Sequence, residues 1–355
     1  MGIARLADLL RDETPEAIQS PPPEHYRGKI LAVDASIFIC QFQSAMPAIS
    51  NRHGDKISVL QGLFNRTIYM LEKGMKPVYV FDGIPPECKR AKVSKDGSGH
   101  ARRGLRAVQG PGPERHGDLK KLLSLLGVPV IQAPSEAEAT CAALVEKGRA
   151  WGAVTEDMDA LPFGCTRLIR NLKADKKKDI EEYYLPDILK KLQMTQKEFI
   201  DLCILMGCDY TSKIKGLGKK KAFKMMQKYR TIEGILPNIN PEDRIPPDFQ
   251  FHYQEARKLF LEPDVVEVTS LTLEWKKVDE DKVLQFLSGE KHLNREKVRR
   301  ALQKLHPPET SRKRKAKSKA SASAEKQKKI TNFFPARKSA VHEKPSTGSS
   351  PTSSR

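Results

Sequence analysis

Three short apolar runs in this chain each lead directly into an acid, and that arrangement restricts the folds open to it. Ile30-Leu31-Ala32-Val33 is closed by Asp34, Val78-Tyr79-Val80-Phe81 by Asp82, and Trp151 to Thr155 runs on to Asp157 and Asp159. Runs of this length, rich in β-branched and aromatic residues, read as buried strands, and the amphipathic segments between them read as helices. Such alternation predicts an α/β chain with a mostly parallel central sheet and helices on both faces. Open sheets of that class take their ligands beyond the carboxyl ends of the strands, where these acids lie.

A further couplet, Glu136 and Glu138 in Pro-Ser-Glu-Ala-Glu-Ala-Thr, has two readings. Ser135 followed three residues later by Glu138 makes a capping-box pattern, with acids in the first turn complementing the helix dipole. Taken alone, the couplet favours that cap. If the strand ends lie side by side, however, Asp34, Asp82, Glu136, Glu138, Asp157 and Asp159 share one crevice, and Asp209 is a seventh acid following a packed helix. Clustered carboxylates need protons or cations to balance them. A donor set made only of oxygen selects hard ions, Mg²⁺ or Mn²⁺.

Between these points the chain reads as short helices at 3–10 and 14–18, a strand at 29–34 and a helical segment to about Ala48. A helix from Val59 to Lys73 stops at Gly74, and a strand follows at 77–81. The interval 84–117 is rich in Gly and Pro and breaks the alternation; residues 89–121 carry 10 Lys/Arg against 3 Asp/Glu. It is either a solvated insertion or a DNA-contacting element. Order resumes with a helix from Leu119 to Leu126, a strand from Val128 to Ile131, and a helix from Ala139 to Val145 ending at Gly148. A strand at 167–171, a charged turn at 173–179 and helices at 186–192 and 196–207 come next. Gly207 and Asp209 then lead to Gly216-Leu217-Gly218-Lys219-Lys220-Lys221, a Gly-x-Gly turn opening a basic helix. Such a turn brings backbone N–H groups close to a phosphate. Residues 245–305 read as polar helices packed back on the sheet, and residues 306–355 as a disordered basic tail.

The net charge of +19 points to a polyanionic partner, with 10 of those charges in residues 307–355. Arg312-Lys313-Arg314-Lys315 has the composition of a nuclear localisation cluster. Cys40, Cys88, Cys141, Cys165, Cys203 and Cys208 show no C-x-x-C spacing and read as reduced structural thiols without zinc. No run is long enough for a membrane span, and no signal peptide is read at the start.

The quoted acids, together with Met1-Gly2-Ile3, Val33 to Ser36, Pro77 to Gly83, Pro134 to Ala139, Thr155 to Asp159 and Gly207 to Gly218, closely resemble the structure-specific 5′ nucleases, and among them the flap endonucleases. The resemblance covers nearly all of 1–305 outside 84–117. It implies a nuclease domain at 1–305 with a helix–two-turn–helix near 209–230, hydrolysing DNA with two metal ions near the junction of a 5′ flap. By the same resemblance Asp34, Asp82, Glu136 and Glu138 surround the first ion, and Asp157, Asp159 and Asp209 the second, with Glu138 shared. Arg66, Glu136, Gly207, Asp209, Gly216, Gly218, Lys219 and Lys220 then contact DNA, and K⁺ binds at the two-turn element. In the tail, Gln327, Ile330, Phe333 and Phe334 resemble the box that docks on the sliding clamp, proliferating cell nuclear antigen. A monomer is implied, in the nucleus, with the nucleolus and mitochondrion as further locations.

Two departures stand out. Only 54 positions separate Asp82 from Glu136, and the interval does not spell the helical arch that carries a Lys and an Arg in the family; Lys89 follows a matching Pro-Pro dipeptide. Cys40 stands where the family has an aromatic. Two alternatives therefore remain: a 5′→3′ exonuclease of the same superfamily, and a clamp-tethered junction binder with impaired catalysis.

Overall fold

The computed structural model describes residues 2–3, 5–45, 57–90, 116–172, 178–240 and 243–306. The inner part of the arch-like interval, the loop at 173–177, and the tail with Gln327, Ile330, Phe333 and Phe334 lie outside the described residues.

Seven strands form one sheet: β1 (Ile18–Gln19), β2 (Ile30–Asp34), β3 (Lys76–Phe81), β4 (Val130–Gln132), β5 (Gly152–Val154), β6 (Arg167–Arg170) and β7 (Glu181–Tyr184). Their order is β1-β7-β6-β5-β2-β3-β4. The five strands from β4 to β6 are parallel, and β7 joins β6 antiparallel. The chain builds outward from β2 through β3 to β4, then returns to β2's other side with β5 and continues to β6. That reversal opens a crevice beyond the carboxyl ends of β2 and β5, where α/β sheets bind ligands.

Side-chain alternation splits the apolar interior into two layers. Ala32, Val78, Val80, Ala153 and Leu168 face one layer, and Leu31, Val33, Tyr79, Phe81, Val154 and Ile169 the other. The first layer is closed by α1 (Leu6–Glu13) and the second by α2 (Ala35–Ala45), α3 (Ser58–Glu72) and α4 (Gly117–Leu125). The first layer also receives α5 (Ala137–Glu146), α6 (Leu185–Leu192), α7 (Gln196–Met206), α8 (Lys219–Tyr229) and α9 (Phe249–Leu261). α10 (Glu280–Leu284) and α11 (Arg295–Gln303) complete the second. Fully buried Phe38, Phe64, Phe81 and Phe199 anchor both, each contributing about 1.5–3 kcal/mol by leaving water. None of the six cysteines forms a disulfide, and among the described residues no helix is long and apolar enough to cross a membrane.

Where local pattern and long-range packing compete, packing decides. The Ser135 capping box does not form: the N-cap of α5 is Glu136, without a side-chain cap bond. Ser135 instead uses its carbonyl to accept the Gly83 N–H at 2.7 Å, while Pro134 accepts from Ile84 at 2.9 Å. These bonds staple the two ends of the 84–136 interval together. A Cβ at Gly83 would stand 2.2 Å from the Pro134 carbonyl oxygen, so the approach requires glycine. A true capping box, Thr195 with Glu198, starts α7. Strands β1 and β7 are further additions: Glu182 is drawn inside, accepting from the Tyr26 hydroxyl at 3.0 Å and pairing with Arg167. Residues 263–279 are not helical. Pro263 follows α9, and the chain then passes through a turn at 268–270 without helix or strand, Trp275 Nε1 donating to the Pro77 carbonyl at 2.8 Å and Lys276 N–H to the Gly127 carbonyl at 2.9 Å.

Candidate functional site

The crevice is assembled from strand ends and helix starts. Asp34 closes β2 and is 2% exposed. Its Oδ1 accepts the Ser36 and Ile37 N–H groups at 2.9 and 3.1 Å, and its Oδ2 accepts the Thr155 hydroxyl at 2.8 Å. Asp82 follows β3 at the open rim, with Oδ1 accepting the Ala137 N–H at 2.8 Å. That bond ties the first turn of α5, and hence Glu136 and Glu138, to the strand. Asp157 Oδ1 accepts the Asp159 N–H at 3.0 Å, and Asp159 Oδ1 accepts the Ile3 N–H at 2.8 Å. Asp209, just past α7, completes the set.

Lys89 lies among these acids. Its ammonium is 2.5 Å from Glu136 Oε2 and 3.5 Å from Asp209 Oδ2, and its side chain is only 19% exposed. It projects from a helical turn at 87–90, a few residues past the Gly83–Ser135 and Ile84–Pro134 bonds. Sequence reading did not assign it a role; the Pro85-Pro86 dipeptide before it was the only signal. Glu136 and Glu138 belong to the crevice as well as to the helix start, so the capping reading gives way.

Electrostatics follow from crowding. Burial, then the charge of Asp82, pushes the Asp34 carboxyl up to about 7. Burial also raises Glu138 and Asp159 well above the usual carboxylate range, reinforced at Glu138 by Glu136 and Asp34 and at Asp159 by Asp157 and Asp209. Glu136 and Asp157 shift upward for the same primary reason. Burial alone would discharge Lys89, but Glu136, Glu138 and Asp209 hold it protonated far above its ordinary value. One ammonium cannot neutralise seven carboxylates. Lys89 brings Glu136 and Asp209 together about its ammonium.

The expected DNA contacts divide. Gly216 has φ +95°, and a Cβ there would meet Asp243 Oδ1 at 2.2 Å, so the turn packs against the Lys215–Arg244 backbone bridge only as glycine. Gly218 starts α8, and among the described residues no side chain caps it. The first N–H groups of α8 are therefore available to an anion. Lys220 is exposed, whereas Lys219 pairs with Asp12 at 2.8 Å and Lys221 with Asp243. Lys220, Lys224 and Lys228, spaced at helical intervals on α8, line a groove of about 500 Å³ with Met225, Tyr229, Asn238 and Asn240. Gly207 ends α7 with φ +97°. Arg66 is not presented at the surface. It is 7% exposed, stacked 3.4 Å over the Phe38 ring, with Nη2 donating to the Leu172 carbonyl at 2.7 Å. Burial lowers its pKa to about 10. Cys40 is half-buried on α2.

Comparison with known proteins follows the same lines. Residues 1–103 match the XPG N-terminal domain and residues 127–209 the XPG I-region. Flap endonuclease 1 of Danio rerio is 43% identical over 329 residues, and that of Homo sapiens 41% over 329 residues, each alignment spanning 86% of both chains. The catalytic core of Rad2 in complex with DNA substrate has a TM-score of 0.72 at 27% identity, covering 86% of this chain and 100% of that one. Flap endonuclease-1 from Methanococcus jannaschii has a TM-score of 0.66 at 28% identity, covering 81% and 95%. With the acids at the sheet's reversal point and this likeness along most of its length, the chain belongs to the flap endonuclease 1 family of structure-specific nucleases.

Proposed function

We propose that this chain hydrolyses a DNA phosphodiester near the base of a 5′ flap, using two divalent ions held by the seven carboxylates, with Mg²⁺ the working ion and Mn²⁺ a substitute. The observation that carries the reading is the largely buried acidic cluster gathered about the Lys89 ammonium, a charge imbalance that added cations would relieve. The donor set fits hard divalent ions because every candidate ligand is a carboxylate oxygen. Asp34, Asp82, Glu136 and Glu138 would hold one ion, and Asp157, Asp159 and Asp209 the other, with Glu138 shared. When bound, the ions supply Lewis acidity at the scissile phosphate and activate the attacking water.

The remaining work falls to the chain itself. Backbone N–H groups fix Asp34 and Asp82, so their oxygens face the crevice without reorganisation. Lys89 contributes one further positive charge to an incoming phosphate. The Gly216–Gly218 turn, the start of α8 and Lys220 grip the duplex backbone, and K⁺ belongs to the same turn in this reading. Action at a free 5′ end gives 5′→3′ exonuclease activity alongside flap cleavage, in Okazaki fragment processing and long-patch base excision repair. Tail residues Gln327, Ile330, Phe333 and Phe334 dock on proliferating cell nuclear antigen, and the protein works as a monomer in the nucleus.

Single-turnover cleavage of a 5′-flap duplex tests the centre. Asp82→Ala and Asp157→Ala should each cut at least about 10²-fold more slowly in Mg²⁺, as loss of a few kcal/mol of transition-state stabilisation requires. Near-normal rates in either variant would reduce these acids to structural caps.

A further inference from the structure

Thr155 lies between the two halves of the acidic centre. It follows β5, is 1% exposed, and anchors its own N–H on the Ile169 carbonyl at 3.3 Å. Its hydroxyl oxygen accepts the Asp157 N–H at 3.1 Å, and the same group donates to Asp34 Oδ2 at 2.8 Å. A threonine hydroxyl has one proton to give. Because Asp157 presents an N–H, which can only donate, the hydroxyl proton goes to Asp34.

The consequence at Asp34 is that both carboxylate oxygens are tethered, Oδ1 by two backbone N–H groups and Oδ2 by Thr155. The plane of the carboxylate is thereby fixed. At the other end, the bond from Asp157 N–H sets the turn that aims Asp157 and Asp159 inward. The intervening Glu156 points away, with Oε1 accepting the Asn171 N–H at 3.1 Å. One buried hydroxyl thus links the acid closing β2 to the couplet following β5 across the sheet's reversal point.

We propose that Thr155 is a positioning residue that sets the divalent-ion affinity of the centre by coupling Asp34 to the Asp157–Asp159 turn. This rests on the reading that the carboxylates hold divalent ions. A partner that orients a ligand in this way is typically worth about 10–100-fold in metal affinity. Thr155→Val keeps the shape and removes the hydroxyl, whereas Thr155→Ser keeps the hydroxyl and removes a methyl group.

The experiment titrates the full chain, without DNA, with Mn²⁺ and follows binding calorimetrically, alongside thermal unfolding in chelator. The Val variant should bind Mn²⁺ about 10–100-fold more weakly, with the Ser variant restored to near the parent affinity. The Mg²⁺ concentration for half-maximal flap cleavage should move in parallel, while the rate at saturating Mg²⁺ largely recovers. Parent-like Mn²⁺ affinity in the Val variant overturns the proposal, as does a Ser variant as weak as Val, since packing rather than the hydroxyl would then be responsible. If Val does not fold, Thr155→Ala compared with Ser makes the same decision. A parent chain that binds no Mn²⁺ removes the two-ion reading itself, a result distinct from equal binding by parent and variant.

Discussion

Replacing Lys89 with methionine separates the charge of this side chain from its shape, since methionine is unbranched and of similar length. The ammonium is 2.5 Å from Glu136 and 3.5 Å from Asp209, with its side chain 19% exposed. At an effective dielectric of about 20, a 3.5 Å pair attracts by roughly 5 kcal/mol before desolvation is counted. Lys89 also pairs with Glu136, whose side chain is 7% exposed, and removing one partner of a buried pair of that kind costs about 3–5 kcal/mol net, because the other is left uncompensated. For a folded unit of this size that corresponds to a fall of about 6–15 °C in Tm at about 2–3 °C per kcal/mol. The loss should grow above pH 7, where protons no longer substitute for the missing ammonium, and shrink in saturating Mg²⁺, where ions do. Divalent-ion affinity should rise because the competing cation is gone, even as flap cleavage slows. Thermal unfolding at pH 6 and 8, with chelator and with Mg²⁺, measures all of this except the cleavage rate. An equal fall in Tm with and without Mg²⁺ would refute the reasoning, because Lys89 would then be a packing element rather than a stand-in for metal.

Three other outcomes are expected. The Asp34 carboxyl is pushed up to about 7 by burial and Asp82, above the roughly 3.9 of an unfolded Asp, so the folded state retains a proton that the unfolded chain has released. Its stabilising contribution is complete below about pH 4 and lost as pH rises through about 7; Tm in chelator should fall from pH 5 to 8, with Mg²⁺ flattening the curve, and a Tm rising over that range would contradict it. Lys224→Ala with Lys228→Ala should lower the salt slope of duplex binding by about two, one for each phosphate that is no longer neutralised, whereas an unchanged slope assigns the groove on α8 to some other use. Phe333→Ala with Phe334→Ala should abolish calorimetric binding of the tail to the sliding clamp while clamp-free cleavage is retained; undiminished affinity rejects the docking assignment.

The sequence was most legible where a local pattern and the tertiary structure agree. Asp34 and Asp82 could be placed because an apolar run ending in Asp has few other readings, and β2 and β3 end where the pattern stops. Glu136 and Glu138 were ambiguous because a capping box and a ligand pair look alike along the chain. The hydrogen bonds that bring them to the crevice, Ala137 N–H to Asp82 and Gly83 N–H to Ser135, span about fifty residues. Strand β7 was hidden because Glu181-Glu182-Tyr183-Tyr184 has no apolar alternation of its own; the strand exists through pairing with β6 and the partners that satisfy Glu182. Arg66 was assigned to DNA by resemblance alone, and the sequence around it carried no sign that Phe38 and the Leu172 carbonyl would draw it inside.

The staple at Gly83–Ser135 and Ile84–Pro134 ties the residues just past β3 to those just past β4. Asp82 and Glu136 each stand one residue outside these bonds, and the Ala137 N–H bond to Asp82 extends the same tie. Their register therefore depends on main-chain groups, which a change of side chain leaves in place, except at Gly83, where any Cβ would meet the Pro134 carbonyl. The acids can thus be exchanged one at a time without moving their neighbours, and Gly83→Ala is the change that would shift both at once.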